Sequence, residues 1–212
     1  MLDITAHIDA IAEEVHAKRA QAARTLVAIA GAPGSGKSTL AAEVARRLRA
    51  QRCPALVMPM DGFHLDNAVL ADRGLTQRKG APETFGAEGF LLAIDRMSRA
   101  QEVVVPIFDR QRDIAIAGAL AVPADCPVVI VEGNYLLFDE APWRDLAPLW
   151  TISAYLKVDI AELRARIIQR WLSHNLSRAA ATRRAEMNDI PNAQRVIDRA
   201  LDLQAGRDLP PA

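Results

Sequence analysis

The sequence predicts an α/β protein whose mostly parallel central sheet is covered by helices on both faces. Two observations predict it. Short apolar runs of strand length alternate with segments of helical periodicity. One of those runs leads through a glycine-rich segment directly into a helix, the order expected of a strand–loop–helix unit.

The elements follow in chain order. Ile4, Ile8, Ile11, Ala12 and Val15 recur at helical spacing within 3–23, so an amphipathic helix occupies the N-terminal segment 1–24. Leu26-Val27-Ala28-Ile29-Ala30 ends at glycine and reads as a buried parallel strand. Segment 38–50 places Leu40, Val44 and Leu48 on one helical face. Ala55-Leu56-Val57-Met58-Pro59-Met60 is a second strand, ending at Asp61. The Gly-, Pro-, Arg- and Lys-rich stretch 72–86 reads as a functional loop, followed by a helix near 87–100. Runs 103–108 and 114–122 suggest a hairpin-like excursion. Val128-Val129-Ile130-Val131 ends at Glu132, segment 151–158 is a further strand, 160–172 is a helix, and 177–200 is helical and rich in arginine.

At 212 residues the chain fits one domain, 1–212, with a substantial core. Lys plus Arg and Asp plus Glu both number 26, so overall charge gives no reason to expect nucleic acid or an anionic membrane as partner. Charged residues interrupt every apolar run well before about 18 residues, which excludes membrane insertion by a helix. The opening Met1-Leu2-Asp3, with Glu13 and Glu14 downstream, lacks a signal-peptide pattern, so a cytoplasmic protein is expected. Cys53 and Cys126, each before a proline, have no metal or disulfide spacing and read as small buried residues in a reducing compartment. The oligomeric state is open, a homodimer being the alternative to a monomer.

Gly31-Ala32-Pro33-Gly34-Ser35-Gly36-Lys37-Ser38 matches the phosphate-loop pattern in full, with Thr39 just inside the helix. Glycines let successive N–H groups turn inward around an anion, and the helix start adds free N–H groups and the positive end of its dipole. Lys37 is a point charge for β- and γ-phosphates, and the Ser38 hydroxyl a ligand for Mg²⁺. The loop therefore predicts nucleoside triphosphate binding and a P-loop NTPase fold.

Asp61 and Glu132 each follow a predicted parallel strand, so both are delivered to the crevice at the carboxyl edge of the sheet, beside the loop. Phosphoryl transfer to a hydroxyl needs a group that orients or deprotonates the acceptor, and acidic groups for the metal. Asp61 is assigned the acceptor and Glu132 the metal. The roles are exchangeable at this stage, so Asp61 also stands as a metal ligand. The plainer alternative is that each merely ends a strand or caps the next helix.

Four segments then carry a resemblance: Met60-Asp61-Gly62-Phe63-His64, Arg78-Lys79-Gly80-Ala81-Pro82-Glu83-Thr84-Phe85, Pro106-Ile107-Phe108-Asp109-Arg110 and Val131-Glu132-Gly133-Asn134-Tyr135. Together they resemble the superfamily of uridine kinase, phosphoribulokinase and bacterial pantothenate kinase. The likeness is closest to small bacterial members provisionally named fructose-transport-system kinases or nucleoside/nucleotide kinase-like proteins. It extends over nearly the whole chain after the first helix. It implies a three-layer P-loop kinase fold with a lid helix, and ATP-dependent, Mg²⁺-assisted phosphorylation of a hydroxyl on a small metabolite, foremost a sugar such as fructose. A nucleoside or a pantothenate-like alcohol is the alternative acceptor. An aromatic content of 5% disfavours a nucleoside, and Trp143, Trp150 and Trp171 read as packing residues.

The resemblance places Arg78 and Lys79 near the acceptor or the phosphates, against the alternative of a solvated basic loop. Polar side chains at His64, Asp109, Arg110 and Asn134 are suited to hydrogen-bonding acceptor hydroxyls, although a lone histidine is more often structural. Related kinases use lid arginines in the region corresponding to 159–190. Of Arg164, Arg166 and Arg170, the last two lie four apart on one helix face and are the preferred pair for stabilising the transferring group. A reading of another class is a nucleotide-binding regulator with slow hydrolysis. A GTPase-type switch would carry N-K-x-D, which does not occur.

Overall fold

The computed structural model describes residues 4–201 and 207–209. Met1, Leu2 and Asp3, and with them the predicted start of the first helix, lie outside the described residues. In chain order come α1 (Thr5–Lys18), β1 (Thr25–Gly31), α2 (Lys37–Ala50), β2 (Ala55–Pro59), α3 (Asn67–Asp72), α4 (Ala87–Ser98), β3 (Val103–Asp109), β4 (Ile114–Val122), β5 (Val128–Gly133), β6 (Ile152–Leu156), α5 (Ile160–Ser173), α6 (Arg178–Arg184), α7 (Ile190–Asp198) and β7 (Arg207–Leu209).

Five strands form a sheet in the order β2-β5-β1-β6-β7, with every neighbouring pair parallel. Period-2 alternation along the strands divides the core into two layers. Val27, Ile29, Val128 and Ile130 pack against Ile11 and Val15 of α1 and Leu40, Val44 and Leu48 of α2. Leu26, Ala28, Val129 and Val131 face the other way, with Phe90 and Ile94 of α4, Leu163 and Ile167 of α5, and Val196 of α7. This is the predicted three-layer α/β fold. Among the described residues, no helix is long and apolar enough to cross a membrane.

Several details depart from the sequence reading. The second strand ends at Pro59, and Met60–Phe63 forms a 3₁₀ turn that lifts Asp61 off the sheet. Proline cannot donate to a ladder, and β2 is an edge strand, where that loss is tolerated. Glu132 lies inside β5 rather than after it. The helical stretch 177–200 is broken by a π turn over Ala185–Asp189, next to Pro191, which has no N–H to continue an α ladder. Strand β7 extends the sheet where the sequence announces no strand.

Strands β3 and β4 form a separate antiparallel hairpin. Its two ends meet at Arg24, a guanidinium only 2% exposed. Arg24 donates to the carbonyls of Met97 (3.2 Å) and Gln101 (3.1 Å) before the hairpin, and to those of Ala124 (3.0 Å) and Cys126 (2.9 Å) after it. A planar fork of donors can satisfy such divergent carbonyls where a lysine could not.

Candidate active site

The parallel register brings the predicted groups to one edge. Glu132 pairs with Pro59 on one side and Ile29 on the other, so Asp61 and Gly31 lie two residues further along their strands, at the same carboxyl end. Two glycines permit the convergence. A Cβ on Gly62 would lie 2.2 Å from the Pro106 carbonyl oxygen, and one on Gly133 would lie 2.6 Å from Met60 Cβ. The turn carrying Asp61 therefore lies directly on β3 and on the end of β5.

The loop from Gly31 to Ser38 joins β1 to α2, with Gly34 and Gly36 at φ of 82° and 97°. No side chain caps α2, and by helix geometry its first N–H groups have no intrahelical acceptor. Gly31 and Ala32 are buried and contribute backbone alone. Ser35 Oγ is buried without a partner. A cavity of about 330 Å³ opens over this loop. It is lined by Pro33, Gly34, Gly36, Lys37, Ser38 and Thr39 from the loop and helix, and by Asp61, Arg110, Glu132, Asn134, Arg166 and Arg170 from elsewhere.

Burial dominates the electrostatics here. Desolvation pulls the Lys37 ammonium below the ordinary lysine range, against the opposing pull of the Glu132 and Asp61 carboxylates. Glu132 is 5% exposed. Its burial raises its carboxyl above the ordinary range, Lys37 and a hydrogen bond from Ser38 act in the opposite sense, and Asp61 adds to the rise. Arg166 reaches back over the loop, with Nη1 3.5 and 3.4 Å from the carbonyl oxygens of Gly34 and Ser35, while its Nε is 2.8 Å from Glu162. Arg170 is 3.2 Å from Asp189.

A second cavity, about 390 Å³, adjoins the first. The two share Pro33, Asp61, Arg110, Asn134 and Arg170. Arg110 Nη2 lies 2.7 Å from Asp61 Oδ2 at this junction. His64 donates through Nδ1 to the Asp61 carbonyl at 2.8 Å, and its ring lies between Phe85 and Phe108, with centroids 4.0 and 4.7 Å away. Burial holds its pKa below the ordinary histidine value. Lys79 lines this cavity too, bound to Asp113 at 2.9 Å. The chain at and just after it is pinned from two sides: Tyr135 Oη donates to the Gly80 carbonyl at 2.6 Å, and Asn188 Nδ2 to the Lys79 carbonyl at 2.8 Å.

Apart from Gly31, Ala32 and Ser35, which lie buried within the loop itself, two of the sequence-predicted residues line neither cavity. Arg78 is drawn outward by Glu83, 3.1 Å away. Asp109 is consumed by its own turn, its Oδ1 accepting from the N–H groups of Gln111 and Arg112 at 3.0 Å each. Arg164 pairs with Glu186 at 2.9 Å and lines neither cavity, whereas Arg166 and Arg170 line the first. Sequence reasoning missed Asp113, Trp171, His174, Arg184, Asn188, Asp189 and Asn192, all of which line the second cavity. Asn188 and Asn192 stand four apart in a segment that buries Ala185, Ile190, Ala193 and Val196. Trp171 packs against the core as predicted and also lines the cavity, its Nε1 donating to Asp189 at 2.7 Å. Trp143 is a core residue as predicted, and Trp150 packs against the core with Nε1 donating to the Leu136 carbonyl at 3.0 Å.

The donor set fits a nucleotide and a hard cation. Among the described residues no group of three or more acidic, histidine or cysteine side chains forms a metal cage. One or two carboxylates and a serine hydroxyl suit an ion that brings water and phosphate oxygens with it, as Mg²⁺ does.

A phosphate loop with acidic groups at neighbouring strand ends, on a parallel sheet covered on both faces, defines a P-loop kinase. A model of the phosphoribulokinase/uridine kinase family matches residues 26–192, and the chain belongs to that family. It is 35% identical over 180 residues to a Schizosaccharomyces pombe protein provisionally named a uridine kinase, spanning 80% of this chain and 76% of that one. It is 32% identical over 162 residues to the pantothenate kinase of Parvibaculum lavamentivorans, spanning 70% of this chain and about half (48%) of that enzyme. A crystal structure from Silicibacter sp. TM1040, provisionally described as a fructose transport system kinase, superposes with a TM-score of 0.88 at 50% identity, covering 94% of this chain and 98% of that one.

Proposed function

We propose that the protein is an ATP-dependent kinase that phosphorylates a hydroxyl of a small metabolite, foremost a sugar such as fructose. The observation that carries this reading is that Asp61 stands where two cavities meet, one built over the phosphate loop and one lined by polar side chains. A nucleotide hydrolase needs only the first. A kinase needs both, with a carboxylate at the junction.

In this reading Asp61 orients the acceptor hydroxyl and takes its proton as the oxygen bonds to the γ-phosphorus. The bond from that phosphorus to the bridging oxygen breaks, and ADP leaves. Lys37 and the loop N–H groups hold the phosphates, and Arg166 and Arg170, from the lid-type segment 159–190, neutralise charge on the group in transfer. Ser38 and Glu132 would hold Mg²⁺, which would supply charge neutralisation at the phosphate oxygens when bound. Arg110 is paired with Asp61 at 2.7 Å and must exchange that partner for phosphate or acceptor for Asp61 to act. His64, Lys79 and Asn134 face the acceptor. The test is acceptor-dependent ADP release over a panel of sugars, sugar acids, sugar phosphates, nucleosides and pantothenate. If no acceptor raises ADP production above the no-acceptor control, a nucleotide-binding regulator becomes the better reading.

A further inference from the structure

The tip of the hairpin occupies charged groups of the site with charges of its own. Asp109 Oδ1 accepts from the N–H groups of Gln111 and Arg112, which fixes the turn between β3 and β4. That turn presents Arg110 and Asp113, three residues apart and opposite in sign, to the second cavity. Each meets its opposite there. Arg110 Nη2 donates to Asp61 Oδ2 at 2.7 Å. Lys79 Nζ donates to Asp113 at Oδ2 (2.9 Å) and at the carbonyl oxygen (3.1 Å), and to Asn67 Oδ1 at 2.7 Å. An ammonium has three N–H groups, so Lys79 has none left over. Asn67 Nδ2 in turn donates to Asp113 Oδ2 at 3.1 Å, and Lys79 lies over the Phe108 ring, 5.1 Å from its centroid. Asp113 itself sits at a φ of 56°, a left-handed conformation that costs a residue with a side chain and that these contacts hold in place.

A kinase with ATP bound and no acceptor faces water as the competing nucleophile. In that wasteful reaction the water oxygen bonds to the γ-phosphorus and its proton passes to Asp61. The bond to the bridging oxygen breaks, and ADP and phosphate leave. Specificity against water therefore means withholding the carboxylate until the acceptor is in place. The two pairs do so jointly. Phosphate in the first cavity can draw on Arg110, which lines both cavities, but Asp113 still ties the tip to Lys79 and Asn67. A molecule that fills the second cavity, of about 390 Å³, has the volume to displace the tip, and a single water has not. Arg110 is 62% exposed and Asp113 57%, so each pair is weak, a factor of about five at most in an equilibrium. That suffices to hold the tip and does not bar a ligand.

We propose that Arg110 and Asp113 are specificity-determining residues that discriminate against water: the hairpin tip keeps Asp61 engaged while the second cavity is empty, and an entering acceptor releases it. The inference rests on the kinase reading for the role of Asp61 and adds how the site refuses water. It predicts a gain of activity, which loss of a merely structural contact does not produce.

The test is phosphate release by the full chain at saturating MgATP, in buffer free of sugars, glycerol and other hydroxyl compounds. Arg110→Met should raise the rate about three- to tenfold over the parent, and the isosteric Asp113→Asn, which keeps the fold and loosens the second pair, about twofold. Arg110→Lys keeps a donor for Asp61 and should give less than half the rise of Arg110→Met. Combining Arg110→Met with Asp61→Asn should remove the rise. An unchanged or slower rate in both Arg110→Met and Asp113→Asn overturns the proposal, as does a rise that survives Asp61→Asn. Acceptor-dependent ADP release by the parent is a separate readout. If it is present and neither variant hydrolyses ATP faster, the kinase reading stands and the restraint by the tip falls. If no acceptor raises ADP release and Arg110→Met still hydrolyses faster through Asp61, the kinase reading falls and the tip remains a restraint on hydrolysis.

Discussion

The two cavities that meet at Asp61 are built by opposite means. The donor side rests on one continuous loop and on adjacent strands whose register is fixed by backbone ladders, and its key charges are held in place by burial. The acceptor side is gathered from the turn after β2, the loop around Lys79, the tip of the hairpin and the helices beyond residue 170, none of them in the sheet. Its charges are held by pairing with one another. A buried charge such as Lys37 or Glu132 is already desolvated and poised, at a standing cost to the fold. A paired charge such as Arg110 or Arg170 is stable as it stands and must exchange partners to act.

The largest expected effects separate the two sides. Lys37→Ala should lower turnover about 10³-fold and weaken ATP binding as well, because it removes the loop's own ammonium from the donor side. Asp61→Asn should lower turnover by about 10²–10⁴-fold while ATP affinity, measured by titration, stays within a few-fold. Near-normal turnover in Asp61→Asn would remove the junction from the mechanism and, with it, the contrast between the cavities.

Smaller effects sharpen the contrast. Arg170→Ala should reduce kcat about 10²-fold, and Asp189→Asn, which frees Arg170 and loosens Trp171, should change the acceptor KM more than the ATP KM. Equal shifts in both KM values would mean that the partner exchange is not confined to the acceptor side. The smallest effect concerns stability. Because burial raises the Glu132 pKa, the folded protein keeps a proton that the unfolded chain has lost once pH passes the ordinary carboxylate range. That contribution is present below the ordinary range and is lost as pH rises through the raised value. Glu132→Gln cannot ionise, so its Tm advantage over the ligand-free parent should be near zero at pH 4 and grow to roughly 2–4 °C by pH 8. A Tm difference independent of pH would show that the buried charge carries no such cost.

The same contrast governs what could be read from the sequence. The phosphate loop and the strand ends are local facts, because eight consecutive residues and an apolar run before an acid specify them. Helix α2, the hairpin and both strand-end carboxylates were legible for that reason. The acceptor side depends on which distant segments pack together, and residue type alone misleads there. Asp109 looked like a ligand and serves its own turn, and Arg78 looked like a ligand and pairs with Glu83. Arg184, Asn188 and Asn192 became legible only once the π turn placed them on the same wall.

Arg24 gives the hairpin a property of its own. Because one guanidinium grips the chain just before residue 103 and again just after residue 122, the segment between leaves and rejoins the body at nearly the same point. Its ends are already closed, so lengthening or replacing the span adds little loop entropy to the whole. The span carries Phe108, Arg110 and Asp113 to the acceptor cavity. The hairpin is thus an excursion closed at its root by one arginine, and through Arg110, which lines both cavities, and Pro106, which lies against Gly62, it reaches the phosphate side as well as the second cavity.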